Sequence, residues 1–401
     1  MTQDVDASPN RDTSPLLALL QQDDDIEWAS WGALPLIANF AQPQIEYAAL
    51  HKGAGLIYRS ELGLLELRGK DRLEFLNNLL TQGLKSLPAG RSTRAMLLNL
   101  KGRIAAVMQV VNLPGGEATW LVMPRNLVEP IRQTLDAYLF AEDVTMSDVS
   151  GEFDLVQMHG PMASDVLTRA ADVAFERETD ASVSVKIAGQ GVTVFDGEPI
   201  ATPSLTLAVP TSSSVSLWND LTTRFGQTGD NRQFGQRPLT PTGWAMFNAR
   251  RIEAGLPIAG VDFALARPSK PGPKSDDDTD PKGTALPAET GPLFDLCVST
   301  TSGCYLGQEV VARMHARNVV AKQLVGLKMR EDALPSAGEQ LEFGDTSVGV
   351  VTSSTLSPIQ SGACIALATL KRPHFEPGTV LSVVAEGRKV EAEVVAIPFM
   401  A

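Results

Sequence analysis

At 401 residues the chain is long for one core and is expected to form two or three domains, with an ordinary globular composition of 43% hydrophobic and 20% charged residues. A net charge of −13 argues against general affinity for nucleic acid or anionic membranes, because the long-range field repels phosphates and acidic headgroups. Three cysteines and four histidines supply neither a disulfide framework nor a zinc-ligand spacing, so no metal site is expected and a reducing cytoplasm fits best.

Residues 1–27 carry Asp4, Asp6, Asp12 and the run Asp23-Asp24-Asp25, lack the basic start and apolar core of a signal peptide, and are expected to be disordered. No apolar run approaches the length of a membrane span. An aromatic and apolar stretch at 28–36 reads as the first ordered segment, and 51–56, with Gly53 and Gly55, as a loop. From residue 62 the pattern becomes regular. A strand is predicted at 64–67, and Asp71 caps a helix whose Leu73, Leu76, Leu79 and Leu80 share one face. Strands at 94–98 and 103–111 pair about a turn at 99–102. A short strand at 120–123, a helix at 126–140 interrupted by Pro130, and a strand at 144–149 complete a split α+β layer.

A comparable order recurs: strands at 153–158, 183–187, 192–195 and 205–209, with helices at 161–171 and 216–225. A helix at 243–254 ends at Gly255. Several prolines and Asp276-Asp277-Asp278 make 263–292 an exposed acidic insertion, too poor in apolar residues to order itself. Short β-type segments at 324–329, 340–343, 347–353, 364–370, 380–384 and 390–395 predict a small β-barrel or sandwich.

Between the insertion and the barrel lies the most informative stretch, Ser302-Gly303-Cys304-Tyr305-Leu306-Gly307-Gln308-Glu309, where a cysteine sits in a glycine-shaped loop just before a helical run. A thiol near a helix N-terminus, with Arg313, His315 and Arg317 following, is placed to favour the thiolate. The competing reading is a small apolar core residue. A second stretch, Arg250-Arg251-Ile252-Glu253-Ala254-Gly255, offers a carboxylate suited to paired N–H donors and a guanidinium suited to carboxylates, against the alternative of a surface ion pair. In a third, Leu98-Asn99-Leu100-Lys101-Gly102-Arg103, the cations Lys101 and Arg103 either add positive charge to a central site or are solvated hairpin residues.

The cysteine stretch resembles the K-G-C-[FY]-x-G-Q-E signature of the YgfZ family of folate-binding proteins, relatives of the glycine-cleavage T-protein, with Ser302 standing where that family usually has lysine. The stretch at 251–255 is similar to the R-[IL]-E-A-G element of the T-protein superfamily. The resemblance implies an α+β fold of three domains in a ring, ferredoxin-like split α/β units plus a small C-terminal β-barrel. It divides the chain into a discontinuous folate-binding domain (28–61 and 151–262), an α+β domain (62–150), the insertion (263–292), the cysteine segment (293–323) and the barrel (324–401). It implies tetrahydrofolate or a related reduced folate as cofactor, held by Glu253 and Arg251, with Lys101 and Arg103 beside the site. Cys304 is the reactive thiol it implies, in a motif formed with Gly303, Tyr305, Gly307, Gln308 and Glu309. The implied function is an accessory protein for iron-sulfur client enzymes, including radical enzymes that modify tRNA. The T-protein aspartate pair used in aminomethyl transfer falls here on Ala106 and Val107, which neither accept a proton nor stabilise a cation. A folate-dependent one-carbon transferase and a non-catalytic interaction module are the alternatives.

Overall fold

Alternation of side chains along strands gives each sheet two faces, and in this protein both faces of both large sheets are buried. The computed structural model describes residues 14–171, 179–200, 203–226, 238–271, 279–301, 304–317 and 320–399. The first sheet runs in the order Val183–Ile187, Gln190–Asp196, Ser204–Pro210, Phe153–His159, Ala54–Tyr58, Leu239–Pro241, antiparallel except for the last pair. One face, with Leu56, Val156, Met158, Val194, Leu205 and Leu207, packs on the helices Ala163–Ala171 and Thr211–Gly226. The second sheet, Arg91–Leu98, Ile104–Asn112, Ala118–Pro124, Leu62–Arg68, Thr145–Asp148, buries Leu65, Leu67, Leu97, Val110 and Leu121 under the helices Arg72–Asn77 and Arg125–Asp136. The remaining faces meet each other: Leu155, Phe195 and Ala208 of the first sheet pack against Leu64, Val111, Trp120 and Val122 of the second. The result is a four-layer stack of helices, sheet, sheet and helices. The chain leaves the first sheet at 59–61 and returns at 149–152, so the second sheet is inserted into the first.

The third unit is a closed six-stranded barrel, Lys322–Met329, Ala363–Lys371, Thr346–Ser357, Gln340–Phe343, Val380–Ala385, Arg388–Val395, whose last strand pairs with its first. Closure leaves no unpaired edge. Leu324, Ile365 and Leu367 on its outside seat Ile252 of the helix Trp244–Glu253. Mixed α/β units with a C-terminal barrel are therefore what the chain forms, in line with its strand patterning. Among the described residues no helix is long and apolar enough to cross a membrane.

Four local expectations are corrected. Order begins well before residue 28: Ser14 Oγ accepts from Leu16 N and donates to Asp154 Oδ2, and the helix Pro15–Leu20 buries Leu16 and Leu20 in the first core. Residues 1–13 lie outside the described residues. The expected loop at 51–56 belongs to the helix Pro43–Lys52 and the strand Ala54–Tyr58; a Cβ on Gly55 would lie 2.4 Å from Leu50 Cδ2, so this glycine serves close packing. Helix Arg125–Asp136 continues through Pro130. The flanks of the insertion are built into the fold, because Ala266 N donates to Ile104 O and Ile104 N to Ala285 O, with Phe263 and Ala285 buried beside Leu98. The acidic run 276–278 lies outside the described residues.

Candidate ligand-binding cleft

The two inner sheet faces are apolar at one end and polar at the other, and where they turn polar they part. Along the strand Phe153–His159 the inner residues are Phe153, Leu155, Gln157 and His159; the first two close the sheets together and Gln157 lines a cleft. Thr206 lines it from the same sheet, and Arg94, Val107 and Gln109 from the other. Helix Trp244–Glu253 adds Trp244, Phe247 and Arg251, and Leu293 with Leu296 form an apolar end. The cleft is partly open to solvent, and the room within these walls for water-sized molecules is about 120 Å³.

Arg59, in the crossover between the sheets, organises the polar wall. Its Nε donates to Glu61 Oε1 at 2.5 Å and its Nη1 to Glu198 Oε2 at 2.9 Å and to Gln157 Oε1. The guanidinium lies 4.5 Å from the ring centroid of Phe247, which stacks on Trp244 at 5.1 Å. Behind this wall, fully buried His159 bonds Gln157 Oε1 through Nε2 at 3.1 Å and Ser204 Oγ through Nδ1 at 2.9 Å. Burial, reinforced by Arg59 and Arg94, pushes the imidazole down to about 3, so it is neutral. Burial opposes ionisation of Glu198 as well, but Arg59 and Arg94 outweigh it and hold the carboxyl at about 2.

Two buried groups of this wall lack hydrogen-bond partners among the described residues: Glu61 Oε2 and Arg251 Nη2. Arg251 is 1% exposed, bonds Asp262, and donates from Nε to Asn248 Oδ1 at 2.8 Å. One unsatisfied acceptor and one unsatisfied donor, buried in the same cleft, match a ligand that carries both kinds of group.

Of the folate-holding residues that the resemblance implies, Arg251 lines this cleft, and so does Val107 from the position where an acid is expected. Glu253 comes from the same helix but is turned toward the barrel, where its carboxylate accepts from Tyr47 Oη, Ser357 Oγ and Arg250 Nη1. It does not reach the cleft. Lys101 Nζ and Arg103 Nε lie 3.6 and 4.0 Å from Asp280 Oδ2, and Arg103 Nη1 donates to Thr284 O, so both cations bind the flank of the insertion. The carboxylates on the cleft wall are instead Glu61 and Glu198, which the sequence reading passed over. Each adjoins an apolar strand end, at Arg59-Ser60-Glu61 and Asp196-Gly197-Glu198.

The cysteine stretch and the hairpin turn meet. Gly307, at φ +74°, packs so tightly that a Cβ would lie 2.6 Å from Asn99 O and 2.8 Å from Gly102 Cα. Tyr305 is buried among Met96, Leu98 and Ile104, and its phenol is pushed up by burial. Gln308 opens the helix Gln308–Arg317, where exposed Glu309 bonds Arg313. Ser302 and Gly303, and the side chains of His315 and Arg317, lie outside the described residues. Cys304 is exposed and does not line the cleft, whereas Cys297 and Cys364 are buried, Cys297 pushed up by burial to about 12 and Cys364 raised for the same first reason. Accessible thiolate is what reacts. A disulfide reagent at neutral pH should therefore label one thiol rapidly in the native protein, and Cys304→Ala should abolish that phase; a fast phase surviving in the variant would contradict the assignment.

Comparison with known proteins follows these features along nearly the whole chain. The GCVT N-terminal domain model matches residues 37–266, and the glycine cleavage T-protein C-terminal barrel domain model matches residues 322–400. An aminomethyltransferase of Saccharopolyspora erythraea is 27% identical over 383 residues, covering 93% of each chain. A probable aminomethyltransferase of Natronomonas pharaonis is 26% identical over 381 residues, covering 92% of this chain and 94% of its own. The crystal structure of glycine cleavage system aminomethyltransferase T from Bartonella henselae superposes with a TM-score of 0.79 at 19% identity, over 96% of this chain and 97% of that one, a likeness of fold. With one model spanning more than half of the residues and the other the barrel, the chain belongs to the glycine cleavage T-protein family, built of a GCVT N-terminal domain and a T-protein C-terminal barrel.

Proposed function

We propose that the protein binds tetrahydrofolate or a related reduced folate in the cleft and serves iron-sulfur client enzymes through Cys304, without transferring aminomethyl groups. The observation that carries the folate reading is the pair of buried unpartnered groups, Glu61 Oε2 and Arg251 Nη2, on a wall that also holds ionised Glu198 and the Trp244 and Phe247 rings. A bound tetrahydrofolate supplies a one-carbon carrier; the chain's part is to grip its ring and to exclude water. Glu198 is preorganised for this by Arg59, which fixes one carboxylate oxygen and keeps the group charged. Calorimetric titration with tetrahydrofolate is expected to show binding that Glu198→Gln weakens at least tenfold. Absence of binding by the wild type would reject the reading.

The second reading, aminomethyl transfer, is favoured by the names of the relatives at 26–27% identity. Against it stand the residues at the positions where the resemblance expects acids: Val107 presents an apolar side chain to the cleft, and Ala106 is packed in the core beneath the helices of the second sheet. Neither holds or moves a proton. Assayed with the aminomethylated lipoyl carrier of a glycine-cleavage system, the protein should give no turnover above background, and rates like those of a true aminomethyltransferase would restore the second reading. In cells lacking the protein, Cys304→Ala should fold and bind folate yet fail to restore client iron-sulfur activity, which a purely packing cysteine would restore.

A further inference from the structure

Glu61 ends the crossover between the sheets, and its carboxylate has two unlike oxygens. Oε1 accepts the Arg59 Nε–H at 2.5 Å, while Oε2 is buried and has no hydrogen-bond partner among the described residues, in a residue 2% exposed that lines the cleft. A different nitrogen of the same guanidinium, Nη1, holds Glu198 at 2.9 Å. Arg59 thus spaces two carboxylates along one wall, beside the Phe247 ring that its guanidinium covers. The two are not equivalent. Every pterin carries an amino group and an adjacent ring N–H, the pair of donors that one carboxylate satisfies. A second carboxylate with a free buried oxygen asks for a further donor from the same ligand.

In an oxidised pterin the pyrazine nitrogens N5 and N8 present only lone pairs, which a carboxylate oxygen repels. In the tetrahydro form both carry hydrogen. We infer that Glu61 is the residue by which this cleft selects reduced over oxidised pterins, its Oε2 accepting an N–H that exists only in the reduced pyrazine ring. The inference rests on the folate reading above and assigns the redox state of the ligand to one side chain. Arg59 makes it testable, because in Glu61→Gln the Arg59 Nε–H still demands an acceptor and so keeps the amide oxygen on its own side. The amide NH₂ is then the group at the cleft, a donor that suits lone pairs and opposes N–H.

The experiment measures affinities for tetrahydrofolate and folic acid under reducing, oxygen-free conditions, with a melting curve for each protein. Wild type should prefer tetrahydrofolate at least tenfold, and Glu61→Gln should lower that ratio by about tenfold. A wild-type measurement covers the case in which the variant does not fold: a tetrahydropterin analogue with CH₂ in place of N5 and N8 should bind at least tenfold more weakly than tetrahydrofolate. A folded Glu61→Gln with the wild-type ratio, or an analogue that binds like tetrahydrofolate, would overturn the role of Glu61 while leaving folate binding intact. Failure of wild type to bind either folate is a different result and removes the reading on which the inference stands.

Discussion

Acidification from pH 7 to pH 4 should cost the protein several kcal/mol through His159. In the unfolded chain this imidazole titrates near its ordinary value of 6.5, but in the fold it is pushed down to about 3, first by burial, against the opposing pull of Glu198, with Arg59 and Arg94 adding to the burial effect. Between those two values the unfolded chain binds a proton that the folded chain refuses, so stability rises with pH across the window by on the order of 1.4 kcal/mol per unit. The contribution is fully present above about 6.5 and is lost as the pH falls toward about 3. Glu198 adds a second loss at lower pH, its folded value of about 2 lying below the ordinary 4.5. Arg59 and the His159 imidazole both bond Gln157 Oε1, so protonating the imidazole places two positive charges against Gln157. Urea unfolding of wild type and His159→Gln at pH 7, 6 and 5 separates this from the other carboxylates. The variant should lose distinctly less stability between pH 7 and 5, by roughly 2 kcal/mol; equal slopes would mean that His159 does not titrate in this way.

The same residue explains what the sequence made legible and what it did not. Alternation along 153–158 and 205–209 identifies strands whatever lies on their two faces. Gln157, His159 and Thr206 then read as the solvent side of an ordinary amphipathic strand. They are the opposite, because the second face is also buried, against a sheet inserted from a different part of the chain. A polar residue on that face marks a cleft only once the sheets are known to stack. Arg59 and Glu198 are 139 positions apart, and no local pattern joins them. By contrast, the cysteine motif and the hairpin are readable because each is contiguous, and the contact of Gly307 with Asn99 and Gly102 gives the glycine of that motif a steric reason. Arg251 and Glu253 show the limit of a motif: two residues apart on a helix they point to different faces, one to the cleft and the other to the barrel.

Glu253→Ala should therefore destabilise the protein by about 3–5 kcal/mol, the cost of removing one partner from a buried ionic cluster. The carboxylate is fully buried and joins three elements: Tyr47 of the helix Pro43–Lys52 at 2.8 and 2.9 Å, Arg250 of its own helix at 2.8 Å, and Ser357 of the barrel at 2.6 Å. Its backbone oxygen also accepts from Phe399 N. Without the carboxylate, buried Arg250 loses its ion pair with Glu253, and Tyr47, whose phenol is pushed up to about 12 by burial and then by Glu253, loses this acceptor. Glu253→Gln keeps one acceptor oxygen for Ser357 and Tyr47 but loses the charge and turns an NH₂ donor toward Arg250, so it should fall between wild type and alanine. Because Glu253 is absent from the cleft wall, both variants, measured where they are folded, should bind tetrahydrofolate within about threefold of wild type, less than half a tenfold step on the free-energy scale. Denaturation and titration of the same two proteins decide between latch and ligand contact. Unchanged stability with sharply weakened binding would return Glu253 to the ligand role that its motif implies, whereas lost stability with preserved affinity makes it the latch that seats the barrel on the helix carrying Arg251.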